Sequence, residues 1–335
     1  MQTNTHHNNI YQHIYLSPYF FKNHFLIFHI MIKSYPSVLL YLIVIILSIR
    51  IIIRSNNWFF IWIGFEISIF GFLPLFSITS FTTEAIIKYF LIQAGGSVLF
   101  LISFIYVQMN LNNLINLRLT IKLGIFPFFQ WIPLVIRSLS WKGCIILTTF
   151  QKIRPLVSLA LFFNFSLIIF FRVLGIVIRR VIALNQTSIR PLIAYSSISH
   201  TRWICLTIPF NLKLFIAYIA SYFIINFFIF SIFDKNNTNI VYERKINKKR
   251  LVSQYFSLLI LTGFPPFFFF FLKINILFII LNYPRIVILL LLSIYLRTYY
   301  YLSFIIPRII ETTKQKDNYL IVIIILQLTP LLLCI

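Results

Sequence analysis

The sequence predicts an all-α polytopic membrane protein with about eleven transmembrane helices, and three observations carry that prediction. Of 335 residues, 60% are hydrophobic and only 10% charged, where a soluble domain has about a quarter charged. The 29 Lys and Arg fall mostly in alternate connections between apolar runs. Two of those runs, one in each half of the chain, are interrupted by Gly and Pro.

Composition excludes several classes. Ile numbers 65 and Phe 39, against 7 Ala and 8 Gly, a balance that follows AT-rich codons and suggests an organelle genome. Cys144, Cys205 and Cys334 are isolated in apolar runs and form no CxxC pair, so no disulfide framework, zinc site or iron–sulfur site is expected. No GxGxxG opens a βαβ unit. The net charge of +23 would point to nucleic acid in a soluble protein. Here it reads as membrane topology, and no nucleic-acid partner is expected.

Along the chain, residues 1–30 hold five of the six His, several Asn and no acid. They contain no Arg and few Ser, unlike a transit peptide, and lack the compact apolar core of a secretory signal. They are expected to be an atypical N-terminal extension or, since Met31 follows, a misplaced start. Residues 31–335 form the transmembrane domain. Its predicted spans are 37–53, 58–79, 84–107, 114–137, 140–160, 161–178, 189–208, 212–233, 252–281, 286–305 and 319–335. The fourth is interrupted at Gly124 and Pro127, the ninth at Gly263, Pro265 and Pro266. Membrane helices tolerate such breaks where the freed backbone is buried in protein or lines a wet cavity. A pair of interrupted spans in two halves of a chain points to inverted repeats of the transporter kind.

Placing the N-terminus on one side and alternating, sixteen of the 29 Lys and Arg fall on that side and three opposite, the rest lying within spans. The positive-inside bias then puts the N-terminus on the negatively charged side and, after eleven spans, the C-terminus on the other. The basic loop 234–250 reads as part of this signal.

Ionisable groups at bilayer depth cost a few kcal/mol each and demand a reason. Glu66 lies within WIGFEISIF, and Lys122, Lys152 and Lys273 lie within predicted spans, Lys122 and Lys273 on the interrupted ones. A buried lysine favours its neutral form and a nearby carboxylate restores the charged one. The position of Glu66 would therefore set the state of Lys122, and such groups linked by water are the minimum equipment for moving a proton through oil. Glu84 and Lys88 stand at i and i+4, the favourable order for an intrahelical ion pair. They and His200, in SSISHTRW, are possible accessory groups, the plainer readings being a neutralised interfacial pair and a packed polar side chain. The Phe run 267–271 reads as lipid-facing and packing surface.

The strings WIGFEISIFGFLPLF, EAIIKYFLIQAGGS, IKLGIFPFFQWIP, LSWKGCIILTTFQKIRPL, LNQTSIRPLIAYSSISHTRW and LTGFPPFFFFFLK occur in this order. Together they resemble the NADH–ubiquinone oxidoreductase chain 2 family of respiratory complex I, by motif over about residues 37–275. The resemblance implies an antiporter-like fold of two inverted five-helix repeats, each with one broken helix, and eleven helices in animal forms. It implies proton translocation through Glu66, Lys122, Lys152 and Lys273, driven by quinone reduction elsewhere in the complex. It places the chain in the mitochondrial inner membrane, N-terminus in the matrix and C-terminus in the intermembrane space. The expected partners are lipid and the other membrane-arm subunits, above all the neighbouring antiporter-like ones. The chain would share in NADH:ubiquinone reductase activity without catalysing it alone. NADH, FMN, iron–sulfur clusters and ubiquinone would serve the whole complex, and no cofactor or metal this chain. A free-standing cation/proton antiporter shares the broken helices but would bind its ion through mid-membrane carboxylates, of which Glu66 is the clear one.

Several positions depart from the family. Phe129 stands where His is common, Leu272 where Pro is, and Arg154, Arg180 and Arg202 where small residues are. Close helix packing in membranes favours small side chains. Several animal mitochondrial codes read AGA and AGG as Ser or Gly, so some of these Arg are expected to be codon-reassignment artefacts. Arg190 matches a family Arg.

Overall fold

In the computed structural model residues 36–55, 57–79, 83–105, 112–161, 188–235, 248–264 and 267–313 are described, and they are mostly helical. The extension 1–30, the predicted spans 161–178 and 319–335, and Pro265, Pro266 and Arg180 lie outside these residues. The helices are α1 (Pro36–Arg54), α2 (Trp58–Thr79), α3 (Thr83–Ile105), α4 (Asn112–Leu123), α5 (Trp131–Ser138) and α6 (Trp141–Thr148). They continue as α7 (Phe150–Leu161), α8 (Ile189–Thr207), α9 (Leu212–Lys235), α10 (Lys248–Thr262), α11 (Phe268–Ile280) and α12 (Pro284–Thr313).

Five segments among the described residues are long and apolar enough to cross a membrane: Trp58–Phe76, Thr83–Ile102, Trp141–Leu161, Leu212–Lys235 and Ile286–Ser303. Their outer faces stay apolar. Phe70, Leu91, Phe228, Phe278 and Ile288 are each more than half exposed on the isolated chain, as fits surfaces whose solvent is lipid. The chain is a multi-pass membrane protein.

Local chemistry sets the helix ends. Asn211 caps α9, its side-chain oxygen accepting from the Lys213 and Leu214 amides at 2.9 and 3.2 Å, and Ser140 caps α6 through the Gly143 amide at 3.3 Å; both are ordinary N-caps. Pro284 opens α12, where a missing N–H costs nothing. Helix α4 ends in a Schellman turn: Gly124 has φ 61, its amide bonds to Ile121 O at 3.0 Å, and that of Ile125 reaches Thr120 O at 2.9 Å. Gly suits this position because it carries no Cβ to clash in the left-handed region. Helix α10 also ends on a left-handed glycine, Gly263, with φ 69 and its amide on Ile260 O at 3.2 Å, but the next amide, of Phe264, bonds to Thr262 Oγ1 at 3.1 Å.

The predicted span 140–160 corresponds to the candidate span Trp141–Leu161, and within it the structure has a one-residue break at Thr149 between α6 and α7. The cause is local. Thr148 and Thr149 turn their hydroxyls back onto the carbonyls of Cys144 and Ile145, at 2.8 and 2.6 Å, a bonding mode that bends helices. Pro155, one turn into α7, deprives Gln151 O of its helical donor.

Helices α1, α2 and α3 pack in sequence, α3 packs on α4 and α5, and α7 lies against α1, α4 and α6. Helix α8 joins α5, α9 and α11, while α10 packs on α9, α11 and α12. The core falls into two apolar clusters, and long helices cross from one to the other. One cluster takes Leu42 and Ile45 of α1, Phe72 and Phe76 of α2, Leu192 and Ile193 of α8, and Tyr301 of α12. The other takes Ile52, Phe65, Ile204 and Leu290 of those same helices. Between the two, the buried residues are polar: Ser48, Ser68, Ser97, Lys122, Lys152, Arg154, Ser197, His200, Asn226 and Arg297. The chain thus carries a polar seam between two apolar layers.

Candidate functional site

The seam is built from short hydroxyls and long cations. Ser48, Ser97, Ser158, Ser196 and Ser197 each donate to the carbonyl three residues earlier in their own helix. A hydroxyl that donates backward still offers its lone pairs outward. These serines therefore present acceptors to whatever cation lies in the seam, and Ser48 Oγ accepts from Arg154 at 3.4 Å.

Lys122 ends α4 and is buried. Its ammonium sits over the Phe65 ring, 4.2 Å from the centroid, an arrangement worth about 0.5–2 kcal/mol. Its stem runs along Gly96, where an added Cβ would meet Cγ at 3.1 Å and Cε at 3.3 Å. The charged groups acting on it are Arg154 and Glu66. Glu66, half-buried, follows Phe65 directly. Among the described residues the ion pair in contact is Lys88–Glu84, so Glu66 acts on Lys122 from beyond contact distance. Arg154 donates to Gln151 Oε1 at 2.9 Å and stacks over Phe72 at 4.9 Å.

Lys152 comes from α7. Its Nζ donates to Ser197 O on α8 at 3.0 Å and lies 5.6 Å from the Tyr222 ring centroid. That ring in turn lies 5.3 Å from the ring of His200.

His200 is fully buried. Its Nδ1 is 3.1 Å from the Tyr218 hydroxyl and its Nε2 is 3.0 Å from Leu261 O. A carbonyl only accepts, so Nε2 carries the hydrogen and Nδ1 accepts from Tyr218. Phe269 covers the ring at 4.4 Å between centroids. The last carbonyls of α10 lack helical partners, and seam side chains supply them. Leu261 O also takes Arg297 Nη1 at 3.4 Å, and Thr262 O takes Lys273 Nζ at 2.5 Å. Gly263 leaves the space this needs, since a Cβ there would strike Lys273 Nζ. The end of α4 is finished the same way, by Trp131 Nε1 on Ile121 O at 3.3 Å and Gln93 Nε2 on Lys122 O at 3.4 Å.

The structure therefore gathers Glu66, Lys122, Lys152, His200 and Lys273 along the seam. It sets Glu84 and Lys88 apart, as an ion pair on the exposed first turns of α3. Gly124 and Gly263 lie at helix ends, and Pro127 is exposed in the turn after α4. Phe268 and Phe271 face outward as expected of the Phe run, but Phe269 is buried against His200. Phe129 and Leu272 are buried apolar side chains. Arg297, Tyr218, Tyr222 and Gln93 were not singled out from the sequence. Arg297 had a signal, a cation inside an otherwise apolar run. Arg202 is buried with Nε and Nη2 lacking hydrogen-bond partners among the described residues. No three His, Cys, Asp or Glu of the described residues gather as a metal site requires.

A helical membrane fold with lysines in a buried polar seam defines a class, that of antiporter-like transmembrane proteins. The transmembrane family described as NADH:quinone oxidoreductase/Mrp antiporter matches residues 107–297. A chain of respiratory complex I from Thermus thermophilus superposes with TM-score 0.69 at 19% identity, over 80% of this chain and 69% of that one. A chain of the Mrp complex from Dietzia sp. DQ12-45-1b does so with TM-score 0.69 at 16% identity, over 81% and 59%. Among curated proteins, NADH-ubiquinone oxidoreductase chain 2 of Anopheles gambiae is 34% identical over 70% of this chain and 74% of its own length. That of Bos taurus is 32% identical over 67% and 71%. The chain belongs to the NADH-ubiquinone oxidoreductase chain 2 family.

Proposed function

We propose that the chain is a core membrane subunit of complex I, taking part in proton translocation coupled to electron transfer from NADH to ubiquinone. The observation that carries this reading is the seam, which gathers three lysines from three helices between two apolar layers. On this reading α4 with α5, and α10 with α11, are the two broken helices of inverted repeats in an eleven-helix domain. The chain sits in the mitochondrial inner membrane, with its N-terminus in the matrix and its C-terminus in the intermembrane space. Its AT-rich composition and its animal relatives support that placement. Its partners are lipid and the neighbouring antiporter-like subunits. It adds proton movement to the NADH:ubiquinone reductase activity of the assembly. NADH, flavin, iron–sulfur clusters and quinone belong to other subunits.

Glu66 governs Lys122 across the Phe65 ring. A shift of the carboxylate toward the ammonium favours the charged lysine, and a shift away favours the neutral one. Lys152 receives the proton, and His200, with Tyr218 on one nitrogen and Leu261 O on the other, bridges to Lys273. Backward-bonded serine hydroxyls offer acceptors along the way. Lys273, held on the negative end of the α10 dipole, delivers to the exit or to the neighbouring subunit.

The test is Lys152→Met in the intact complex. The variant should assemble yet lose proton pumping, and coupled turnover with it. A normal ratio of protons to electrons in that variant would refute the relay.

A further inference from the structure

Arg297 is a buried guanidinium, 2% exposed, on a helix from which no relay residue comes. Its three described contacts lie on two other helices: Nη2 donates to Ser196 O of α8 at 3.1 Å, and Nη1 lies 3.4 Å from both Leu261 O of α10 and His200 Nε2 of α8. Ser196 precedes Ser197, whose carbonyl holds Lys152. Leu261 precedes Thr262, whose carbonyl holds Lys273. A single planar side chain thus spans the backbone stretches that hold the two lysines, with the histidine between them.

The same geometry orients the ring. A guanidinium N–H and an imidazole N–H cannot bond to each other, and His200 Nε2 faces a guanidinium on one side and a carbonyl on the other. The ring satisfies both by giving its hydrogen to Leu261 O, while Arg297 donates to the same oxygen. Leu261 O has two lone pairs to serve the two donors. Nδ1 is then the acceptor for the Tyr218 hydroxyl, at 3.1 Å.

We infer that Arg297 is a positioning residue for the relay: its fork clamps the end of α10 to α8 and so holds His200 with Nδ1 on the Tyr218 hydroxyl and Nε2 on the α10 carbonyl next to the one that holds Lys273. It touches no substrate and passes no proton. Lysine in its place keeps the charge but has no rigid fork for two carbonyls at once. Glutamine keeps one donor and loses the charge.

This inference rests on the proposed relay, and the experiment separates the two. Complexes carrying Arg297→Lys, Arg297→Gln, His200→Gln, the Arg297→Lys/His200→Gln pair and, as control, Lys152→Met are purified and their proton-to-electron ratios measured in sealed vesicles. Arg297→Lys should assemble at the wild-type level and slow coupled turnover by up to about a hundredfold, the scale expected of a misplaced transfer group. Since Arg297 acts through His200, the pair should be no slower than His200→Gln alone. Wild-type pumping in both Arg297 variants, with Lys152→Met inactive, overturns the inference and leaves the relay standing. Wild-type pumping in Lys152→Met overturns the relay itself. Full recovery by lysine means that charge alone matters, and failure of both Arg297 variants to assemble means that the role is structural; either result overturns positioning.

Discussion

Lys273 gives a hydrogen of its ammonium to the carbonyl of Thr262, across the turn at Gly263, at 2.5 Å. The donor lies on α11 and the acceptor is the last residue of α10. Even a continued helix would leave this carbonyl without a backbone partner, since the residue four on is Pro266, which has no N–H. The interruption is thus a device that leaves a buried backbone oxygen free for a side chain.

Gly263→Ala should disturb that device in two ways. A Cβ at φ 69 strains the backbone, at a cost of about 1–2 kcal/mol, and the same Cβ strikes the Lys273 ammonium. The expected result is an assembled complex with a reduced proton-to-electron ratio. Native-gel abundance and vesicle acidification measure the two separately.

Phe65→Leu should remove the ring beneath Lys122 while keeping an apolar filler. The loss of about 0.5–2 kcal/mol of cation–π attraction destabilises the charged lysine. Coupled turnover should fall and assembly hold. The companion Gly96→Val places branched bulk against the Lys122 stem and should be the more damaging of the two, read by the same steady-state assay.

Glu84→Gln should change neither assembly nor pumping. The Glu84–Lys88 pair is exposed on the isolated chain, with 72% and 43% of the two side chains accessible, and stands apart from the seam. A proton-to-electron ratio that drops with this substitution would place the pair on the pathway after all.

Arg202 makes a prediction of another kind. Two of its guanidinium nitrogens are buried without partners among the described residues, and each such group costs about 1–3 kcal/mol. Arg202→Ser should therefore raise the thermal stability of the subunit. If the codon is AGA or AGG and is read as Ser or Gly, a peptide spanning position 202 will already have the smaller mass. CGN codons at positions 154, 180 and 202 would end that explanation.

The seam was partly legible in the sequence. Lys122, Lys152 and Lys273 stood out because each is a charge inside an apolar run, and Gly124 and Gly263 because Gly interrupts a helical pattern in only a few ways. Arg297 also lay in an apolar run, but nothing local separates a cation that snorkels outward from one that reaches inward to two other helices. His200 gave an ambiguous signal for the same reason, since its meaning depends on Leu261 and Tyr218, on other helices. Phe269 was hidden among identical neighbours, where an unbroken Phe run has no periodicity to mark the inward face. The division at Thr149 was missed because paired threonines still fit an apolar span. Their hydroxyl bonding, invisible to hydropathy, bends it.

The two apolar layers have an electrical consequence. A membrane potential falls across whatever insulates, and in this protein the insulation comes as two slabs with a polar plane between them. Moving one charge across a whole membrane takes about 2.3 kcal/mol per 100 mV, so entering the plane from either face takes roughly half of that. On the proposed relay, travel within the plane, from Lys122 toward Lys273, would be close to equipotential. The field would then act on the entry and exit steps, and passage between the lysines would be governed by local chemistry.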